Sequence, residues 1–208
     1  MTEKNIILKA ANWAYDRALT GVSTAGVESA EELADSYLNQ GGTLDSQVDS
    51  LIRWQVTKAA SAGFVTGLGG FIAMPITLPA NLTSVMFIQL RMIAAIAKMG
   101  GLDPHDDKVR ALAFACLAGN STITEAMKQV GVQVGKKLTQ AAIERISAEF
   151  LKKINQAIGF RLITKFGQTG AVNLGKAIPL IGGLIGGTFD GVSTNLVGNV
   201  SKKAFIQK

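Results

Sequence analysis

Thirty-two consecutive residues, 59 to 90, carry no charge. Elsewhere in the chain a charged side chain recurs every few positions. Only two kinds of structure tolerate such a stretch: a segment that crosses a bilayer, which needs about 20 apolar residues, or the buried centre of a helical domain. Its content favours the second. Gly63-Phe64-Val65-Thr66-Gly67-Leu68-Gly69-Gly70 loosens any helix entering from Ala59. Pro75 and Pro79 each lack an amide donor and restrict the residue before them. A straight bilayer span would have to accept both prolines and Asn81. The expectation is an apolar hairpin, irregular near 74–80, followed by a strongly apolar helix capped by Asn81 or Thr83 and stopped by Gly100-Gly101.

The flanking chain reads as helix throughout. Ile6, Ala10, Trp13 and Ala14 predict a first helix over residues 5–25, and Glu28 to Asp35 extend it or begin a second. Asn39-Gln40-Gly41-Gly42 ends that element, and Thr43 or Asp45 opens another. Leu44, Val48, Leu51, Ile52 and Val56 share one of its faces, with Trp54 at the rim. Asp103 at a cap and Pro104 at the first helical position predict a helix over 104–118. Thr122 and Glu125 fit a capping box. A basic helical region over 122–167 changes apolar phase near 142–148, which predicts two helices or a kink there. Gly167 to Gly175 is a break, and Pro179 opens a glycine-rich last element that is helical through about Phe205. No alternating apolar run flanked by hairpin turns is present. The fold class is therefore all-α: a compact single-domain bundle of about seven or eight helices around a central apolar hairpin. The 208 residues suffice for one core.

Charge is unevenly distributed. Residues 1–107 hold 7 Lys/Arg against 11 Asp/Glu, a net −4, whereas residues 108–208 hold 14 against 4, a net +10. A basic half suggests an anionic partner such as a membrane surface. The cations from Lys128 to Lys165 fall around the whole helix circumference at about 100° per residue, and no aromatic platform accompanies them, which argues against nucleic acid. The single Cys116 rules out an internal disulfide. Ile6-Ile7-Leu8 is far too short for a signal sequence, so the expected location is cytoplasmic, at most peripheral on the inner face of the membrane.

Catalytic constellations are thin. His105 is the only histidine, and its neighbours Asp103, Asp106 and Asp107 are explained by a helix start without a metal. One His and one Cys exclude the common zinc sites. If His105 and Cys116 share a helix they stand about 16 Å apart along it, against a hydrogen-bond reach of about 3 Å. Ser121 and Thr122 read as capping residues. The glycine runs lack the Lys-Ser/Thr of a phosphate loop. They do contain small-xxx-small spacings, at Gly63/Gly67, Gly182/Gly186, Gly183/Gly187 and Gly187/Gly191, which let helix backbones approach closely. No metal or cofactor is implied. Arg91, set among apolar residues, needs a partner, because an unpaired buried charge costs several kcal/mol. Asp190, the one acid after Glu149, is the candidate; the alternative is that Arg91 snorkels to the surface.

Several of these segments together resemble the EcsC family. They are Gly63 to Gly70, Pro79-Ala80-Asn81-Leu82, Gln89-Leu90-Arg91, Gly101-Leu102-Asp103-Pro104, and Ile178-Pro179 with Gly182, Gly186 and Gly187. They occur in the family's order and spacing over about residues 50–206, leaving 1–49 as N-terminal helices. Met99 stands where the family often has an aromatic, and Asp190 near where an Asn is usual. The resemblance implies a bacterial or bacteriophage origin and a membrane-linked context. It supplies no catalytic residues. Three functional readings follow. The first is a non-enzymatic protein that works at a membrane, regulating a transporter or membrane complex or inserting the 59–97 hairpin. The second is a soluble bundle that binds a lipid or hydrophobic small molecule. The third and weakest is an enzyme of unfamiliar type built on Arg91, Asp190 or the acids of 103–107.

Overall fold

The computed structural model describes residues 3–61, 80–129, 138–149, 151–152, 154–156, 158, 162 and 184–206. Among these there are eight α-helices: α1 (Glu3–Thr20), α2 (Ala30–Leu38), α3 (Leu44–Ala60), α4 (Ala80–Met99), α5 (Asp107–Ala118), α6 (Asn120–Gln129), α7 (Gln140–Glu144) and α8 (Leu184–Phe205). The chain is all-α, as its periodicity requires. The glycine passage with Gly63, Gly67, Gly69 and Gly70, the irregular passage expected at 74–80 apart from Ala80, with Pro75 and Pro79, and the break at 167–175 lie outside the described residues.

The helix starts follow from local chemistry. Ser29 and Glu32 form a reciprocal capping box at α2, and Thr43 caps α3 through the Ser46 amide. Gly101 closes α4 at φ 84°, a conformation that favours glycine. Four boundaries differ from expectation. Helix α4 begins at Ala80, so Asn81 and Thr83, expected as its caps, lie within its first turn. The first helix stops at Thr20, because Gly21 adopts φ 71° and presses on Val27 and Ser29, where a side chain would collide with backbone. Helix α5 begins at Asp107 with Asp106 as its cap. Asp103 instead accepts from the His105 amide in a turn. Tyr15 Oη donates to the Pro104 carbonyl, fixing that turn against α1. Helix α6 begins at Asn120, so Thr122 lies inside the first turn and no capping box forms there. The expected kink near 142–148 is present: α7 ends at Glu144 and helical geometry resumes at 148.

Helix α4 is the axis of the molecule. It touches α1, α2, α3, α5 and α8, and every residue from 83 to 97 is buried. A helix enclosed on all sides must be apolar on all sides, which accounts for its share of the uncharged stretch. Helix α8 runs antiparallel to α3: Gly191 lies against Val56 and Ala60, Gly198 against Ile52, and Lys202 bonds Asp49 and Asp45 at the far end. A Cβ at Gly198 would sit 2.9 Å from both branch carbons of Ile52 and 3.2 Å from Met92 Sδ. Glycine there sets the separation of α3, α4 and α8. Asn81 lies in the first turn of α4, and Gly186 and Gly187 in the first turn of α8; Gly182 and Gly183 lie outside the described residues.

Candidate functional site

The interior is not wholly apolar. Gln55 on α3, Gln89 and Arg91 on α4, and Thr194 on α8 are all at most 3% exposed. They form a polar layer across the centre of the bundle. Positions 89 and 91 are separated by about 200° around a helix, so their side chains serve opposite neighbours. Gln89 Nε2 donates to Ser193 Oγ and Thr194 Oγ1 of α8, both at 3.0 Å. Ser193 Oγ in turn donates to the Asp190 carbonyl at 3.2 Å.

Arg91 faces the other way. Its Nη1 donates to the Glu28 carbonyl at 2.9 Å, and its Nη2 makes a long contact of 3.5 Å with Gln55 Oε1. The guanidinium also stands 5.8 Å from the Phe87 ring centroid. No described carboxylate forms an ion pair with it. The expected link to Asp190 is absent from these contacts, and the helical geometry explains why: α8 lies on the Gln89 face of α4. The tie between α4 and α8 exists, but Gln89 makes it.

The electrostatics follow from burial. Desolvation lowers the Arg91 pKa to about 10, opposed by the nearby Glu28 carboxylate and Tyr37. The guanidinium therefore stays charged at neutral pH. Lys58, half-buried, is lowered first by desolvation and then by repulsion from Arg91. Two buried N–H groups of this cluster, Arg91 Nε and Gln55 Nε2, have no hydrogen-bond partner. Asp190 is half-buried, and desolvation alone raises its carboxyl to about 6. It therefore changes charge close to neutrality.

The cluster around Arg91 is rich in donors and poorly equipped for nucleophilic chemistry. Burial pushes the Cys116 thiol up to about 12 despite Ser201 beside it, so almost no thiolate is present. His105 lies in the turn before α5, not on the same helix as Cys116, and faces Glu31 with its Nε2 at 3.8 Å. Among the described residues no group of three or more His, Cys, Asp and Glu could hold a metal. Asp103 and Asp106 are engaged in backbone capping.

A cavity of about 440 Å³ lies between α1 and α5, with Leu8, Phe114 and Leu151 on its apolar side and Asn12, Asp107 and Arg110 on its polar side. Arg110 is partly committed there, with Nη2 on Asp16 at 2.7 Å and the guanidinium stacked 5.1 Å from Tyr15.

Sequence reasoning identified Arg91 and Asp190 but missed Gln55, Gln89, Glu28 and Tyr37. A glutamine between apolar neighbours on a largely apolar helix was the available signal for Gln89. Nothing local marks the Glu28 carbonyl. The family model of the EcsC protein family matches residues 3–207 and so takes in the first three helices as well. No curated protein and no solved structure matches.

Proposed function

We propose, for a chain that belongs to the EcsC protein family, a non-enzymatic role at a membrane surface. The protein docks peripherally on the inner, cytoplasmic face and regulates a membrane complex such as a transporter. One contrast carries this reading. Helix α4, the core of the uncharged stretch, is enclosed, whereas α8 leaves Val192 and Leu196, one turn apart, 60% and 61% exposed. No helix among the described residues is long and apolar enough to cross a membrane. Insertion of α4 would also strip Arg91 of the Glu28 carbonyl and place a charge in hydrocarbon. Contact through an outer helix costs no core structure, and the basic second half of the chain supplies attraction to anionic headgroups.

The test is flotation of the full chain with phosphatidylglycerol vesicles, paired with carbonate extraction of cell membranes. The protein should float with the vesicles and be released by carbonate. Replacing Val192 and Leu196 together by Asp should weaken vesicle binding at least about tenfold, since each buried aliphatic side chain contributes roughly 1.5–3 kcal/mol. Absence from both vesicle and membrane fractions overturns the reading.

The cavity between α1 and α5 favours a second reading, a bundle that holds a small amphipathic molecule, because its volume falls within the usual range for ligand pockets. Native mass spectrometry of purified protein should then show a bound species, and a bare polypeptide mass would count against it.

A further inference from the structure

The cavity between α1 and α5 has a polar wall that the fold leaves unused. Its apolar side is Leu8 from α1, Phe114 from α5, and Leu151. Tyr15 meets the Phe114 ring edge-on, with centroids 5.6 Å apart, and fixes that surface. Asp107 lines the polar side from the first position of α5. It is exposed and makes no hydrogen bond or ion pair with any described residue. Its neighbours are committed elsewhere. Asp106 accepts from the Lys108 amide at 2.7 Å, and Lys108 Nζ donates to the Glu144 carbonyl at 3.0 Å. The Asn155 side chain, also in the wall, is likewise unengaged among the described residues. Asn12 donates its Nδ2 to the Leu8 carbonyl at 2.9 Å, which leaves its side-chain oxygen to accept. Arg110 does not neutralise Asp107. Its Nη2 is on Asp16 at 2.7 Å, its guanidinium is stacked on Tyr15, and its Nε is buried beyond reach of a molecule in the cavity. Of the three charges Arg110, Asp16 and Asp107, one carboxylate is in surplus, and it is Asp107.

We infer that this cavity receives a small organic cation, a primary ammonium on a short hydrocarbon chain. The cation is the amphipathic molecule of the second reading above, on which the assignment rests. An ammonium has three donors and no acceptor, and the wall offers it the Asp107 carboxylate and the side-chain oxygens of Asn12 and Asn155. It keeps its proton at neutral pH, as a lysine does. The hydrocarbon chain lies against Leu8, Phe114 and Leu151. An anionic head would meet the free carboxylate, and a neutral one would leave that charge unpaired. About 440 Å³ accommodates such a molecule. Bound there, it joins α1 and α5 to the helical segment that carries Leu151 and Asn155.

The test uses the full chain and four proteins: wild type, Asp107→Asn, Asp107→Glu and Asn155→Phe. Positions 107 and 155 are exposed, so the variants should keep the fold. Each protein is titrated at neutral pH and matched ionic strength with hexylammonium, hexanol and hexanoate, and binding is read from broadening of the ligand's NMR signals. Wild type should bind hexylammonium at least about tenfold more tightly than hexanol, because the hydrogen bonds to Asp107 are charge-assisted. Hexanoate should bind least. Asp107→Asn should lower hexylammonium to the level of hexanol and leave hexanol unchanged. Asp107→Glu should retain most of the preference. Asn155→Phe, which places a ring in the wall, should weaken hexylammonium and hexanol together. The chain carries a net charge of +6, so non-specific attraction favours hexanoate and cannot imitate this order.

A preference for hexylammonium that Asp107→Asn abolishes supports the site. Equal affinities for the three ligands, or a preference for hexanoate, overturn the cation; if Asn155→Phe weakens that binding, the reading of an amphipathic ligand survives. A preference for hexylammonium that Asp107→Asn leaves intact also overturns the site. Wild type that binds none of the three overturns it as well, and a bare polypeptide mass for the purified protein would then remove the second reading too.

Discussion

Helices α4 and α8 are alike as sequences: both are long, mostly apolar and almost free of charge. Their fates differ. Five helices surround α4, whereas α8 packs mainly on α3 and α4 and more lightly on α5 and α6, along a seam that includes Gly191, Gly198 and Lys202, and leaves Val192 and Leu196 in solvent. The difference lies in where the polar residues fall. Those of α4 each meet a partner on a different neighbour, Gln89 toward α8 and Arg91 toward α2 and α3. Those of α8 divide between a buried side, with Thr194 and Ser201, and an exposed side, with Asn195 and Asn199. An apolar average is therefore compatible with both positions, and the angular placement of a few polar side chains separates them.

The sharpest way to break the comparison is to truncate one aliphatic residue on each helix. Ile93 is fully buried, so Ile93→Ala should cost about 3–4 kcal/mol in urea unfolding, while Leu196→Ala should stay within about 0.5 kcal/mol. Similar losses would mean that α8 is covered as thoroughly as α4.

The seam on which α8 packs against α3 and α4 comes next. Gly198→Ala forces a methyl against Ile52 and Met92 and should cost about 1–3 kcal/mol, whereas alanine at Gly191, where the nearest side-chain atom would be 3.2 Å away, should cost less. Equal effects of the two substitutions in thermal melts would remove Gly198 as the point of closest approach.

The smallest effect concerns charge. The Asp190 carboxyl, raised to about 6 from its ordinary 3.8 by burial, holds its proton more tightly folded than unfolded. Its contribution to stability is therefore complete below about pH 4 and disappears as pH rises through about 6. Asp190→Asn should flatten that part of the pH–stability profile. It should raise stability at pH 7.5 by about 1 kcal/mol, a figure discounted for the solvent on the exposed half of the group. A profile between pH 4 and 7 that is identical in both proteins would show that Asp190 is solvated in either state.

Much of the fold was legible from residues whose effect is local. Thr43 capped α3 as expected, Gly100-Gly101 ended α4, and the phase change near 142–148 marked a real interruption. The errors were local chemistry overridden by contacts. Asp103-Pro104 has the signature of a helix start, yet the Tyr15 hydroxyl on the Pro104 carbonyl and the Asp103 carboxylate on the His105 amide hold it as a turn. The Ser29–Glu32 capping box was readable and went unread. The site was half legible. Arg91 stood out as a charge among apolar residues, but its partner is a backbone carbonyl at Glu28, 63 positions away in sequence, and every residue carries a carbonyl.

The sequence alone therefore determined that this chain is helical, that its charge-free stretch is interrupted by prolines, and that Arg91 is a charge set among apolar residues which needs either a partner or a route to the surface. Those conclusions rest on periodicity, capping and desolvation, which act within a few residues. Only the tertiary structure decided that α4 is enclosed and α8 is not, that Gln89 rather than Arg91 reaches α8, and that two buried donors remain without acceptors beside the guanidinium. These depend on which helix faces stand opposite one another, a property of long-range packing that no local pattern encodes.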